Sequence, residues 1–262
     1  MTFIRMFFIL RRLNWLIPKE SELYTLLYDL LQNENERGFI RSLLHRFVYL
    51  SDDGSRDKVR EIAAKIKNDW LCTPSDTIIC GAKNEDESNG SDVFLYDLRN
   101  ALKWPDKCFR TTYSILGSGL SFNNVIIADD FTGSGKRMHE TLDDIRSSMG
   151  PNATSLRFVS IAMMESVVKQ NYPDILQYEH FVPINLEPGF NHLNSRNLGL
   201  MNQIEGYLAP RWKGKRLKVF HLGYKESGAL YWNKQYRIPN NVYPVFWWGK
   251  KFDGSEFTPL FE

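Results

Sequence analysis

Several common features are scarce in this sequence, and each absence argues against a class of protein. The three cysteines, Cys72, Cys80 and Cys108, are far apart and form no C-x-x-C or histidine-flanked pattern. Neither a disulfide framework nor a zinc site is therefore indicated, and we expect a reducing, cytoplasmic setting. The net charge is only +2 at pH 7, so overall charge gives no indication of nucleic-acid binding, although a local basic patch is compatible with it.

Long apolar runs are also missing. The N-terminal stretch MTFIRMFFIL is apolar, but Arg5, Arg11 and Arg12 interrupt a segment already shorter than the ~20 residues that span a bilayer. No small-residue cleavage site follows, so we expect neither a signal peptide nor a membrane partner, and we predict a partly buried helix. The alternative is that these arginines contact acidic lipid or a partner protein.

The spacing of apolar residues changes near Pro74. Before it, stretches such as SELYTLLYDLLQ carry leucines three and four residues apart, which predicts helices, here with Ser21 as the N-cap. After it, short apolar runs alternate with amphipathic stretches, which predicts an α/β fold with a doubly wound, mostly parallel sheet. We expect a helical N-terminal extension (1–75), an α/β core (76–184) and an irregular, aromatic C-terminal hood packed on the core (185–262).

The stretch VIIADDFTGSGKR, from Val125 to Arg137, places an apolar strand, two acids and a turn of small residues in direct succession. Ligands of open α/β sheets bind at the carboxyl ends of strands, and a glycine-containing turn before a helix offers backbone N–H groups to an anion. A P-loop is excluded because that pattern requires Gly at Asp130 and Ser or Thr at Arg137. A dinucleotide fingerprint is excluded because Met138 stands where its third glycine belongs.

The two halves of this stretch together predict a ligand. Carboxylates accept hydrogen bonds from vicinal hydroxyls, and the turn can bind a phosphate about one ribose away. We therefore expect Asp129 and Asp130 to hold a ribose and the turn from Thr132 to Arg137 to hold its 5-phosphate. The alternative is that the acid pair only caps the following turn at the end of the strand.

The same stretch resembles the phosphoribosyl-diphosphate signature of the type I phosphoribosyltransferases, in which apolar residues precede two acids and a small turn. The resemblance implies that Asp129 and Asp130 are the catalytic acids, and that Mg²⁺ lies near them but is bound mainly through the ligand. It implies a 5-phosphate loop composed of Thr132, Gly133, Ser134, Gly135, Lys136 and Arg137. It places a candidate diphosphate loop after the first core strand, at Gly81, Ala82 and Lys83.

Three departures from the family pattern bear on activity. Gly133 stands where purine-salvage members carry an acid/base carboxylate, which argues against hypoxanthine or guanine as the acceptor. Arg137 replaces a hydroxyl residue, and the acids of KNEDESNGSD follow the candidate diphosphate loop, where they would repel a diphosphate unless Mg²⁺ compensates. Two functions stay open: a phosphoribosyltransferase with an unidentified acceptor, or a non-catalytic subunit that senses phosphoribosyl diphosphate or a nucleotide.

The C-terminal segment is rich in aromatic residues. Their ordinary role is core packing, and the alternative is that Tyr236, Tyr243 or Trp247 stacks on a nucleobase or on nucleic acid. Because successive side chains of a strand point to opposite faces, we expect either Trp247 or Trp248 to be partly exposed. This segment and the helical N-terminal part also resemble phosphoribosyltransferase-related proteins of bacterial anti-phage systems, including retron operons. That resemblance implies a protein or nucleic-acid partner in defence.

Overall fold

The computed structural model describes residues 2–82, 90–112, 123–149, 155–168, 178–188, 195–236 and 238–261. The chain divides into two compact units. The first consists of Met1–Tyr49, Glu187–Trp232 and Ile238–Glu262, and the second of Leu50–Leu186 and Asn233–Arg237. Residues 50–75 lie in the same unit as the α/β core, and the three-part division expected from the sequence stays a prediction.

The described helices and strands alternate through the middle of the chain. The helices are α1 (Thr2–Arg12), α2 (Glu20–Tyr24), α3 (Glu34–Leu44), α4 (Asp52–Ala64), α5 (Gly90–Leu102), α6 (Lys136–Met149), α7 (Glu165–Val168), α8 (Ser195–Glu205) and α9 (Leu217–Phe220). The strands are β1 (Val48–Leu50), β2 (Thr77–Gly81), β3 (Phe109–Arg110), β4 (Asn124–Thr132), β5 (Ser155–Met164), β6 (Tyr178–Phe181), β7 (Ile184–Leu186), β8 (Arg211–Trp212), β9 (Lys215–Arg216) and β10 (Tyr231–Asn233).

A parallel sheet forms the centre of the second unit, which confirms the predicted α/β fold. Its strand order is β3-β2-β4-β5-β6, β7 also pairs with β5, and all of these pairings are parallel. Strands β4 and β5 are buried along nearly their whole length, as expected of parallel strands that are covered on both faces. The chain continues from β2 to β3 on one side and from β4 to β5 on the other. The carboxyl ends of β2 and β4 therefore form the topological switch point, where ligands of such sheets bind.

The leucine-rich stretch of the first unit is helical, as predicted, and buries Leu23, Leu26 and Leu27. The predicted N-cap at Ser21 is wrong. Helix α2 already begins at Glu20 and has no side-chain cap, since it directly follows the 3₁₀ turn Asn14–Lys19. The helix then continues as a π-helical segment to Leu30, so Ser21 lies inside a continuous helical run.

The C-terminal tryptophans are core residues of the first unit. Trp247 is 5% exposed and Trp248 is 0% exposed, so the expectation that one of them is accessible is wrong. The segment is a 3₁₀ turn, Pro244–Phe246, followed by irregular backbone, and strand alternation therefore does not apply. The two rings lie 5.5 Å apart, and the Trp247 indole N–H donates to the Val242 carbonyl at 2.8 Å.

The N-terminal segment forms the predicted partly buried helix, in which Met6, Ile9 and Leu10 are buried. No helix in the described ranges is both long enough and apolar enough to cross a bilayer. Arg5 on α1 is exposed and forms an ion pair with Glu34 at 2.6 Å. All three cysteines are buried and unpaired.

Candidate functional site

The two sequence segments predicted to bind the ligand meet at the switch point of the sheet. Gly81 at the end of β2 is in register with Ala128 of β4, and the Ala82 N–H donates to the Ala128 carbonyl at 3.0 Å. The candidate diphosphate residues Gly81 and Ala82 therefore lie beside the strand position that precedes Asp129. Lys83, the third candidate, lies outside the described residues.

The two carboxylates at the end of β4 have different surroundings. Asp129 is 1% exposed, accepts a hydrogen bond of 2.5 Å from the Ser91 hydroxyl, and lies 3.5 Å from the guanidinium of Arg137. Asp130 is half-buried, and the Ser91 hydroxyl lies 3.5 Å from one of its carboxylate oxygens. A donor and a cation thus compensate the charge of Asp129, whereas the charge of Asp130 is less well balanced.

Because its charge is less well compensated, Asp130 is harder to ionise than an ordinary carboxyl group. Burial and, next, the negative charge of Asp129 raise the pKa of Asp130 to about 8, although Arg137 acts in the opposite direction. At neutral pH the pair therefore retains a proton, because two carboxylates so close together cannot easily both ionise. A cation, or hydroxyl groups donated by a ligand, would stabilise the doubly ionised form.

The donor atoms of this pair are suited to Mg²⁺. Carboxylate oxygens are ligands that Mg²⁺ prefers, and in nucleotide sites the ion commonly uses one or two carboxylates together with substrate phosphates and water. Within the part of the chain that the structure describes, no three His, Cys, Asp or Glu side chains converge on a common metal position. An ion near Asp129 and Asp130 would therefore need oxygens from the ligand to complete its coordination.

The predicted 5-phosphate loop is a compact turn between β4 and α6. Thr132 is the last residue of β4, three bend residues follow, and α6 begins at Lys136. Gly135 has a φ of +75°, and a Cβ there would lie 2.9 Å from a Val167 methyl group, so this position requires glycine. The first N–H groups of a helix lack intrahelical partners and face an anion favourably, which makes the start of α6 suitable for a phosphate.

Arg137 contacts the acid pair. Sequence reasoning placed its charge near the phosphate, but its guanidinium is directed toward Asp129, at 3.5 Å. The backbone of Arg137, the second residue of α6, still lies next to the phosphate turn. Arg137 therefore links the acidic half of the site to the phosphate half.

Gly90 and Ser91 are site residues that sequence reasoning missed. They open α5, and a Cβ on Gly90 would overlap the carboxylate of Asp130, so a larger residue here would require the Asp130 side chain to move. A Gly-Ser pair before the amphipathic stretch DVFLYDLRNAL is a recognisable helix start, and the acids of β4 favour the positive end of that helix. Nothing in the sequence indicated that this helix start would reach the acid pair, which is 38 residues away for Ser91 and Asp129.

Of the three aromatic residues predicted to stack, only Tyr236 belongs to the same unit as the acids. Its hydroxyl donates to Asp97 on α5 at 2.8 Å, and Asp97 also accepts from the Gln235 amide. Burial, the charge of Asp97 and, more weakly, that of Asp130 raise the pKa of Tyr236. Tyr243 and Trp247 are buried in the first unit. A stacking role for any of the three stays a prediction.

The parallel sheet, with its acid pair and glycine turn at the switch point, is the arrangement of a phosphoribosyltransferase-like protein. A family model described as PRTase-CE matches residues 31–262, which is most of the chain. The chain belongs to this family. None of the curated proteins compared with it matches.

Several solved structures share part of the architecture. One is an HGPRT-ase from Leishmania tarentolae in complex with GMP, with 16% identity, a TM-score of 0.38, and coverage of 54% of this chain and 82% of that one. Another is a hypothetical protein from Neisseria gonorrhoeae with bound ppGpp, with 12% identity, a TM-score of 0.37, and coverage of 60% and 97%. A third is a hypoxanthine phosphoribosyltransferase from Trypanosoma cruzi in complex with IMP, with 18% identity, a TM-score of 0.36, and coverage of 55% and 81%. Likeness at this level does not identify a ligand for this chain.

Proposed function

We propose that this protein binds phosphoribosyl diphosphate, or a related ribose 5-phosphate or nucleotide, at the carboxyl ends of β2 and β4. The observation that carries the proposal is the direct succession of two carboxylates and a glycine-dependent turn at the switch point of the sheet. Carboxylates bind the vicinal hydroxyls of a ribose, and the turn binds its phosphate. Both halves of the ligand are thereby matched by one continuous segment, from Asp129 to Arg137.

The hydrogen bond from Ser91 to Asp129 supports the ribose assignment, and it also implies that Ser91 moves when a ribose binds. A hydroxyl group already donates to Asp129, so this oxygen is placed to accept from a hydroxyl. A ribose hydroxyl that used the same oxygen would compete with Ser91. We therefore expect Gly90 and Ser91 to shift away from the acids when ligand binds.

In a transfer reaction, the chain itself would supply orientation and charge. The turn would hold the 5-phosphate, and Asp129 and Asp130 would fix the ribose so that its C1 faces an acceptor. Positive charge that develops on the ribose as the bond to diphosphate lengthens would be stabilised by the nearby carboxylates. Mg²⁺, when bound, would neutralise charge on the leaving diphosphate. The acceptor is unassigned.

A second candidate function is a non-catalytic sensor of the same ligand. The near-complete burial of Asp129 under Ser91 favours it, because ligand binding would then move the start of α5. Gly133 also offers no side chain at the position where related salvage enzymes carry their acid/base carboxylate. Such a sensor would act through a protein or nucleic-acid partner in anti-phage defence, as the sequence resemblance implies.

Calorimetric titration with phosphoribosyl diphosphate, with and without Mg²⁺, tests both functions. We expect binding by the parent and weak or no binding by Asp129→Asn, while Asp57→Asn, an exposed carboxylate on α4, serves as the matched control. Diphosphate release is then measured over a panel of purines, pyrimidines and amines. Binding with release supports the transferase, binding without release supports the sensor, and absence of binding contradicts both.

A further inference from the structure

A second charged feature lies in the first unit, outside the candidate ribose site. Between Glu205 and Glu226 the sequence contains no acidic residue, although the whole chain has a net charge of only +2. The basic residues of this stretch are Arg211, Lys213, Lys215, Arg216, Lys218 and Lys225. Residues 211–218 comprise β8, β9 and the start of α9, and we call them the basic hairpin.

The exposed arginines of the basic hairpin differ from those of helix α4 in their ion pairs. On helix α4, Arg56 pairs with Asp53 and Arg60 with Asp57, each at 2.8 Å. Among the described residues, Arg211, Arg216 and Lys218 are exposed and form no ion pair with any carboxylate. The basic hairpin therefore presents net positive charge to solvent, which the surface of α4 does not.

The arrangement within the hairpin is locally unfavourable. Arg211 and Arg216 are direct cross-strand partners, and like charges in such positions destabilise a strand pair. The turn between the strands consists of Lys213 with a φ of +45° and Gly214 with a φ of +77°. Two-residue turns with two positive φ values favour Asn, Asp or Gly at the first position, so Lys213 carries a conformational cost. Three cations thus occupy positions where a neutral residue would suit the fold better.

We propose that the basic hairpin binds the phosphate backbone of a nucleic acid. A phosphate between Arg211 and Arg216 would remove their mutual repulsion, and bidentate guanidinium groups suit phosphate oxygens. Lys213 lies between the two arginines in the sequence and Lys218 follows Arg216, so further cations accompany the pair, as expected for contact with a succession of phosphates.

The contacts of Trp212 define the mode of binding. Its ring packs against Gly249, where a Cβ would lie 2.8 Å away, and Lys213 lies 4.4 Å above the ring. This aromatic face is therefore covered, and stacking on bases is not part of the interaction. For the same reason the hairpin offers no exposed aromatic anchor of the kind used at a membrane interface. Binding through phosphates alone is independent of sequence and strongly dependent on salt.

The test uses the full chain and fluorescence anisotropy with a labelled single-stranded RNA of mixed sequence, over a series of salt concentrations. The variant is Arg211→Gln/Arg216→Gln. The control is Arg56→Gln/Arg60→Gln, which removes the same charge from exposed arginines that are paired. Thermal unfolding of each protein verifies the fold. A parallel titration uses vesicles rich in phosphatidylserine.

We expect the hairpin variant to weaken RNA binding about tenfold or more at low salt and to reduce the salt slope by about 1.4, since two phosphate contacts to a single strand are lost. The control should stay within about twofold of the parent, as expected when only overall charge changes. The proposal is overturned by equal loss in both variants, by absence of RNA binding, or by vesicle binding in its place. It does not depend on the ribose site, so either proposal can fail alone.

Discussion

The pair Asp129 and Asp130 and the pair Arg211 and Arg216 each bring two like charges together, and they are stabilised in opposite ways. Asp129 and Asp130 lie at the end of a buried strand, whereas Arg211 and Arg216 lie on an exposed hairpin. The acid pair is stabilised by the Ser91 hydroxyl, by the Arg137 guanidinium, and by a proton on Asp130, whose pKa is raised to about 8. The exposed pair has no described carboxylate partner, and solvent and salt must screen it.

The difference indicates what each pair can bind. In a site of low dielectric, charges and hydrogen bonds act strongly over short distances, which suits a small ligand with hydroxyls at defined positions. On an exposed surface each contact is weak, so useful affinity requires many contacts along a polyanion. The comparison therefore predicts a few large mutational effects at the acid pair and smaller, salt-dependent effects at the hairpin.

The largest effect is expected from Asp129→Asn. The amide cannot balance the charge of Arg137, and it donates where the carboxylate accepts, so hydrogen bonds to a charged group worth about 1.5–3 kcal/mol each are lost. We expect affinity for phosphoribosyl diphosphate to fall about 100-fold or more in calorimetric titration. Affinity within twofold of the parent, with the fold intact, would remove Asp129 from the ligand site.

The next effect concerns pH. Because the pKa of Asp130 is raised in the folded state, its contribution to stability is lost as pH rises from about 4 toward about 8. Asp130→Asn cannot ionise, so the variant should gain stability over the parent as pH rises, by up to about 4 kcal/mol between pH 5 and pH 8.5. The same substitution should also weaken the binding of phosphoribosyl diphosphate by about 1.5–3 kcal/mol, because a hydrogen bond to a charged group is lost.

Urea unfolding of both proteins at the two pH values provides the measurement. A stability difference that is the same at pH 5 and pH 8.5 would show that Asp130 is not a strained, partly protonated acid. Asp129 and Asp130 would then be screened by solvent and salt, as Arg211 and Arg216 are.

A third prediction concerns the turn that completes the buried site. Gly135→Ala should lower the free energy of unfolding by about 1–3 kcal/mol, because the new Cβ would sit at a positive φ and would press against Val167. Gly199→Ala is the matched control, because it lies inside α8 with open space around it and should raise stability by about 0.5–1 kcal/mol. Equal effects of the two changes in thermal unfolding would contradict the described turn geometry.

The smallest effect is expected at the hairpin. Arg211→Gln removes one member of an exposed like-charge pair and should raise stability by no more than about 0.5 kcal/mol. This gain should diminish as salt is added, because salt screens exposed charges. A destabilisation that is insensitive to salt would show instead that Arg211 has a packing role.

The sequence was informative where a local pattern determines structure. The apolar run and glycine turn from Val125 to Arg137 predicted a strand, a turn and a helix, and all three are present. Contacts between distant segments were not readable: the approach of Gly90 and Ser91 to the acids depends on where α5 begins against β4. The burial of Trp247 and Trp248 was missed for a different reason, since a 3₁₀ turn replaced the strand that the aromatic residues suggested.

The most direct test of the ribose-phosphate site is a crystal structure of the full chain with phosphoribosyl diphosphate and Mg²⁺. We expect the 5-phosphate in the turn from Thr132 to Arg137 and the ribose hydroxyls on Asp129 and Asp130. We also expect the Ser91 hydroxyl to have moved away from Asp129. A bound ligand elsewhere, with the Ser91 hydrogen bond to Asp129 intact and the turn empty at saturating concentration, would contradict the ribose-phosphate site.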